Sequence, residues 1–220
     1  MKKNIFTILL VLLTVLNSAS QTTTEAVTGS VIYAGIDNPV RVISNEIGCG
    51  LEALTVSGDS DFTLFGESCN YTINPKRAGV DVVISVWAVN AKTEQKVALS
   101  RKTFKVEELP SPLLWLGPTE PSNGVIQIYK SELLSGYHPR ARMDDSFPLD
   151  INYKILSFAI SAKKNDKIIN YPCETNYSTD ALAFFRTLKP NDTFKISNIR
   201  VKAPNEQIQV IESLTVKIVQ

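Results

Sequence analysis

The sequence predicts a mainly β protein with two β-sandwich domains, the first immunoglobulin-like and the second β-rich with one packed α-helix. Two observations predict this fold class. Apolar and polar residues alternate in short runs along most of the 220-residue chain, which is the period of a half-buried strand. Gly, Pro, Asn and Asp separate the runs at intervals of about 8 to 12 residues, as turns do in sandwiches. An apolar share of 44% suffices for packed cores.

Residues 1–20 are typical of a cleavable signal peptide. Two lysines follow Met1, an apolar run extends from Ile5 to Leu16, and small residues precede the expected cleavage site after Ser20. The run is about 12 residues long, whereas a membrane-spanning helix needs roughly 20. We therefore expect export to the periplasm or the cell surface, with no transmembrane anchor in the mature chain. A retained anchor is the alternative.

Residues 21–109 are predicted to form the immunoglobulin-like domain. Short alternating runs such as LEALTVSG, DFTLFG and NYTI follow one another, with turn residues between them. In VDVVISVWAV both faces of the alternation are apolar, which predicts a central strand. Trp87 lies in this segment, and we expect it in the core.

Three cysteines, Cys49, Cys69 and Cys173, allow one disulfide in any of three pairings. Cys49 and Cys69 are the disulfide candidates, because both fall in the first domain and exported proteins usually meet an oxidising compartment. A loop of that length constrains the unfolded chain by roughly 3 kcal/mol. Three reduced, buried thiols are the alternative.

Residues 110–124 are predicted to be a Pro-rich linker. Four prolines remove backbone donors and hold this stretch extended. The apolar run from Leu113 to Leu116 is unusual for a solvated tether. Trp115 is therefore the candidate for packing between the two domains.

Residues 125–220 are predicted to form the β-rich second domain. The strand VIQIY is followed by the helical turn KSELL, with Ser131 as the expected cap. The alternation in FPLDINYKILSFAISAK shifts by one place between Ile155 and Phe158, which predicts a β-bulge. The turn KKNDK predicts a hairpin into IINY.

One helix is predicted over STDALAFFRTLKP. Ser178 or Thr179 is the expected cap, Asp180 lies in the first turn, and Pro190 follows the end. An apolar stripe along the segment predicts that the helix packs on a sheet.

Residues arranged for catalysis, cofactor binding or metal binding are not evident in the sequence. His138 is the single histidine, and a hydrolase that uses it with Asp144 or Asp145 is one alternative. The cysteines lack the paired spacing of zinc sites. The balance of 23 basic and 22 acidic residues gives no field to attract nucleic acid. We expect a non-enzymatic protein without a cofactor and without a nucleic-acid partner.

The segment VIYAGIDNPVRV resembles the strand, Asp-Asn-Pro turn and strand that open the penultimate periplasmic domain of the GldM/PorM family. These are the gliding-motility and type IX secretion motor proteins of Bacteroidetes. The similarity continues through YTINPKRAG, FKVEELPSP, KSELL and LKPNDTFKISNIRVKAPNEQ to LTVKIV. It covers essentially the whole mature chain.

The turn motif of this segment consists of Gly35, Asp37, Asn38 and Pro39. Asp and Asn side chains bond to nearby backbone in turns, and Pro39 biases Asn38 towards an extended conformation. Gly35 predicts a bulge or a close backbone approach. We interpret the motif as architectural, with direct partner contact as the alternative.

The resemblance implies two non-catalytic, sandwich-like domains, which in that family belong to a dimeric periplasmic shaft and contact outer-membrane-associated ring proteins. This sequence has a signal peptide where the family has a motor-linked transmembrane helix, and it lacks the helical first periplasmic domain. We therefore expect a stand-alone exported relative of the last two domains, not the torque-carrying protein. Its expected partners are envelope proteins, secretion or gliding ring components among them, and a second copy of itself.

A different function class is the alternative. An adhesive surface protein that binds carbohydrate or another small ligand would use an aromatic platform, for which Trp115, Tyr129 and Tyr137 are the candidates.

Overall fold

The computed structural model describes residues 22–44, 53–58, 61–67, 69–89, 93, 95–164 and 166–220. The chain divides into two compact units, one ending at Glu108 and the other beginning at Leu109. The expected signal peptide lies outside the described residues. Within the described part, the helices are too short or too polar to cross a membrane.

The first unit contains two four-stranded sheets. In spatial order, one sheet consists of β1 (Thr22–Ala26), β3 (Asn38–Ser44), β6 (Asn70–Pro75) and β5 (Phe62–Glu67). The other consists of β2 (Val31–Tyr33), β8 (Lys96–Glu107), β7 (Asp81–Val89) and β4 (Ala53–Gly58). Neighbouring strands are antiparallel except β2 and β8. Most of the consecutive runs QKVAL and RKTFKVEEL belongs to the single strand β8.

Both sheets of the first unit contribute to one core. Val40 and Ile73 come from the first sheet, and Ile84, Phe104 and Val106 come from the second. Each is almost completely buried, which contributes about 1.5–3 kcal/mol for a side chain of this size. The mainly β class and the sandwich of the first domain are confirmed.

Strand β7 is central, as predicted, because it lies between β4 and β8. Val82, Ile84 and Val86 are completely buried on one face. Trp87 is only half-buried, so the expectation of a core tryptophan is wrong. Its side chain lies on the opposite face of the strand, where the indole N–H donates to Thr55 Oγ1 at 2.7 Å.

The second unit contains a six-stranded sheet and a two-stranded ribbon. The ribbon pairs β9 (Leu113–Leu116) with β11 (Pro139–Arg142). The sheet runs in the order β10 (Val125–Tyr129), β16 (Leu214–Val219), β14 (Thr193–Lys202), β12 (Lys154–Lys164) and β13 (Lys167–Cys173), and β15 (Ile208–Ile211) also pairs with β14. Only β10 and β16 pair in parallel. Residues 110–124, predicted as a linker, therefore include a strand of the second unit.

Two helices accompany this sheet, α1 (Lys130–Ser135) and α2 (Thr179–Thr187). Helix α2 confirms the predicted helix. The Ser178 hydroxyl caps it by accepting from the Ala181 N–H at 3.3 Å. Helix α1 confirms the predicted helical turn, but Ser131 is not its cap, because the helix begins at Lys130 and Tyr129 occupies the capping position. The Glu132 carboxylate accepts from the Tyr129 N–H at 2.9 Å.

The helices and the ribbon cover one face of the six-stranded sheet. Phe185 of α2 is completely buried and packs against Phe194 of β14, with ring centroids 5.2 Å apart. Leu133 of α1 and Leu116 of β9 belong to the same core as the sheet residue Ile196. The sheet therefore has one buried face and one face without this covering layer.

The predicted bulge and hairpin are both present. Strand β12 shifts its register against β14 between Ile155 and Ser157 and again before Ala159. Strands β12 and β13 pair as a hairpin that closes at Lys164 and Lys167. The phase shift in the sequence reports the bulge because the extra residue moves Phe158 onto the buried face.

Candidate functional site

The Asp-Asn-Pro motif forms a hydrogen-bonded corner between β2 and β3. Asn38 is 1% exposed, and its side-chain Oδ1 accepts from the Tyr33 N–H at 2.7 Å. Its Nδ2 donates to the carbonyl oxygens of Tyr33, Ile36 and Ile73 at 2.8, 3.0 and 3.2 Å. One buried amide thus satisfies four backbone groups from three segments.

The other motif residues surround this amide. Gly35 has a φ of 74°, and its N–H donates to the Pro75 carbonyl at 2.6 Å. Asp37 does not bond to its own turn but accepts from the Asn74 side chain at 2.9 Å. Pro39 lies in β3, in register with Thr72. The contacts of the motif lie within the first unit and join its turn to β6.

The cysteines differ in state. Cys69 is disulfide-bonded, and Cys173 is a free, buried thiol in the second unit. Cys49 lies outside the described residues, so the pairing of Cys49 with Cys69 stays a prediction.

The three aromatic residues considered as a ligand platform are not available as one. Trp115 is 3% exposed, and the Arg142 guanidinium lies 4.6 Å from its ring centroid, as in a cation–π contact. The Tyr137 ring packs against the backbone of Gly117. A β-carbon at residue 117 would lie only 2.3 Å from Tyr137 Cδ2. Tyr137 is partly buried, and Tyr129, half-exposed at the sheet edge, is the most exposed of the three. Whether Trp115 packs between the domains stays a prediction.

His138 is not brought together with the carboxylates that were considered as its partners. Asp145 pairs with Arg142 at 3.3 Å, and Asp144 accepts from the Ser146 N–H at 2.7 Å. Hydrogen bonds from Ser146 hold the pKa of Asp144 below its usual value. The His138 ring instead lies 5.4 Å from that of Tyr177. Burial raises the pKa of Tyr177, whose hydroxyl donates to the Tyr137 carbonyl at 2.9 Å.

The feature of the second unit that is available to a partner is the uncovered face of its six-stranded sheet. Directly paired residues point to the same side of a sheet, so the register identifies the side chains on this face. Lys195 pairs with Thr215 and Ser161, and the Ser161 and Ser197 hydroxyls are 2.7 Å apart. Lys217 pairs with Gln127 on the edge strand β10.

The same register extends this face to its other end. Arg200 pairs with Ser157 and Val210, and Lys202 pairs with Lys154 and Ile208. Lys163, near the β12–β13 hairpin, pairs with Ile168. We call this surface the basic sheet face and define it by its cations, Lys154, Lys163, Lys195, Arg200, Lys202 and Lys217.

The sequence reading missed this surface, although a signal was present. The basic clusters that stand out in the sequence are KKNDK and RKTFK, but in the first Lys163 pairs with Asp166 at 2.8 Å, and in the second Lys105 pairs with Glu107 at 2.9 Å. The stronger signal is that all six strands of this sheet lack Asp and Glu. Strand β14 alone, with the sequence TFKISNIRVK, has three basic residues and no acidic one.

Groups of three or more His, Cys, Asp or Glu side chains arranged to hold a metal ion do not occur among the residues that the structure describes.

Residues 110–219, half of the 220-residue chain, match the family model of the GldM C-terminal domain. A search of curated proteins gives no match. Among solved structures, the chain is similar to the fibronectin(III)-like modules of Clostridium thermocellum CbhA, with 11% identity and a TM-score of 0.28 over 90% of this chain and 95% of that chain. A likeness of that degree carries no argument about function.

The family match covers nearly all of the second unit, including every strand of the basic sheet face. The family is structural and non-catalytic, and it is found in the periplasm and cell envelope. The chain belongs to the GldM C-terminal domain family.

Proposed function

We propose that this protein is a non-enzymatic protein–protein interaction module, exported to the bacterial periplasm or cell surface. The basic sheet face is the observation that carries the proposal. It presents cations together with exposed apolar side chains on a sheet surface rather than in a deep cleft. Protein interfaces combine these two elements, whereas small-molecule sites are usually concave and mostly apolar.

The separation of the reactive groups supports a non-enzymatic role. Nucleophilic catalysis needs a base within hydrogen-bond reach of its nucleophile. Cys173 is buried, and its sulfur accepts from the Ser178 N–H at 3.4 Å, so its contact is with the cap of α2. His138 faces Tyr177, and its former candidate partners are engaged elsewhere.

The proposed partners are envelope proteins, with ring components of the secretion or gliding machinery among them, and a second copy of the chain is a further candidate. The family match supports an envelope role for the second unit. The resemblance of the first unit to the penultimate GldM domain supports the same setting.

Site-specific photocrosslinking of the full-length chain in the cells that produce it tests this proposal. A photoreactive amino acid is placed at exposed positions of both units, Phe65 and Arg41 in the first and Gln127, Asn170 and Ala183 in the second. We expect a discrete protein adduct from at least one position. The proposal is wrong if all five positions give no protein adduct while the protein is folded and exported.

A further inference from the structure

The charge of the basic sheet face is not balanced by its own strands. The six strands carry eight basic residues, which are Lys154, Lys163, Lys164, Lys167, Lys195, Arg200, Lys202 and Lys217, and no acidic residue. The strands of the first unit, in contrast, include Glu25, Glu67, Asp81 and Glu107. The excess of positive charge is therefore local, because the whole chain has a net charge of only +1.

Two cations of this face have partners from the adjoining turns. Lys163 pairs with Asp166 at 2.8 Å, and Lys202 pairs with Glu206. The other four, Lys154, Lys195, Arg200 and Lys217, form no ion pair within the described residues. Several unpaired like charges on one sheet face repel one another, and they create a positive potential that an acidic surface would neutralise.

Exposed apolar side chains lie beside these cations. Val210 and Ile208 of β15 are 68% and 54% exposed, and they pair with Arg200 and Lys202. Ile168 of β13 is 72% exposed and pairs with Lys163. Ile208 and Val210 are two positions apart on β15 and form one exposed apolar patch, and contiguous apolar patches on a surface mark interaction sites.

We infer that the basic sheet face binds an acidic protein surface that also presents apolar side chains to Ile208 and Val210. This inference rests on the proposed function and names the surface and the partner's chemistry. The apolar residues distinguish a protein partner from nucleic acid, because phosphate contacts use cationic and polar groups and leave aliphatic side chains uncovered, and single-stranded bases need aromatic stacking platforms. Tyr129, at the edge strand, is the only aromatic side chain that the register places on this face.

Two experiments on the full chain test the inference. The first compares photocrosslinking from Gln127 and Asn170, which lie on the basic sheet face, with crosslinking from Ala183 on the exposed side of α2. We expect a protein adduct from the first two positions only, with the crosslinked peptide of the partner rich in Asp and Glu. Adducts with lipid or nucleic acid, or equal adducts from Ala183, would overturn the inference.

The second experiment measures the affinity of the purified crosslinked partner for charge-reversed variants. Lys195→Glu with Arg200→Glu should weaken binding at least tenfold at low salt, mainly through a slower association rate. The matched control is Arg140→Glu with Lys164→Glu, which makes the same charge change in the same unit. Arg140 lies on the ribbon, and Lys164 lines the groove beside Phe184 on the covered side, so this control should bind within twofold of the wild type.

Equal binding by the wild type and Lys195→Glu/Arg200→Glu, or equal loss in the control pair, would contradict the inference. If adducts arise only from the first unit or from Ala183, the inference is wrong while the proposed function stands. If all positions fail to give a protein adduct, both are wrong.

Discussion

The two units of this protein use their sheets in different ways. In the first unit two four-stranded sheets share one core, and a buried amide, Asn38, joins the corner between them. In the second unit one sheet is covered on a single face by two helices and a ribbon. Its other face carries lysines, an arginine and exposed Ile and Val side chains.

This difference indicates which sheet faces are suited to bind a partner. A sandwich buries one face of each sheet and leaves outer faces of mixed charge, as Asp81 and Lys105, paired across β7 and β8, illustrate. The second unit has a wide single sheet, and the strands that form its open face carry cations and no acidic residue. We therefore propose an architectural role for the first unit and a binding role for the second.

Substitutions in the two cores should produce the largest differences between the unfolding free energies of the two units. Phe185→Ala should destabilise the second unit by about 3–5 kcal/mol, because it leaves a cavity between α2 and β14. Phe104→Ala should destabilise the first unit by a similar amount. Each unit contains one tryptophan, Trp87 or Trp115, so urea unfolding followed in Trp87→Phe and Trp115→Phe backgrounds reports each unit separately. A loss of both transitions in either variant would show that the units do not fold separately.

Reduction of the disulfide at Cys69 should act on the first unit alone. We expect a loss of about 3 kcal/mol there, since a loop of about 20 residues is released in the unfolded chain. The second unit, whose Cys173 is a free thiol, should keep its unfolding midpoint. Peptide mapping of the oxidised protein should recover Cys49 linked to Cys69, and a linkage to Cys173 would refute the predicted pairing.

Asn38→Ala should destabilise the first unit by about 2–3 kcal/mol. The change removes four hydrogen bonds to backbone groups of Tyr33, Ile36 and Ile73, and the loss is costly because those to Ile36 and Ile73 are buried. Asp37→Ala is the matched control, because its single bond to Asn74 is exposed and should contribute less than about 0.5 kcal/mol. Equal effects of the two variants would remove the architectural role assigned to Asn38.

Ser178→Ala should cost the second unit about 1 kcal/mol by removing the cap of α2. Thr179→Ala is the control, since Thr179 was the alternative cap in the sequence and lies inside the helix. Thermal unfolding monitored by circular dichroism measures both variants. A larger loss for Thr179→Ala would contradict the observed cap.

Much of the fold could be predicted because its signals are local. Ser178, Asp180 and Pro190 bound helix α2, and the phase shift before Phe158 reports the bulge in β12. Local patterns do not reveal which segments pair, so the Pro-rich run around Trp115 predicts a linker although β11 pairs with it. The same limit explains why Trp87 was expected in the core: its strand is apolar on both faces, but only the opposite face packs in the core.

The candidate surface was less predictable. Lys195 and Lys217 are 22 residues apart in sequence, and only the pairing of β14 with β16 places them on one sheet face. The lack of Asp and Glu in these strands is visible in the sequence. The strand order is needed to show that the cations form one surface.

The unfolding free energy of the Lys195→Glu/Arg200→Glu variant tests the central claim most directly, because it separates binding from architecture. Reversing two charges on an open face that serves recognition should leave the unfolding free energy of the second unit within about 0.5 kcal/mol of the wild type, while partner affinity falls at least tenfold. A loss of more than about 2 kcal/mol would mean that these side chains support the fold, and it would contradict the division of roles between the two units.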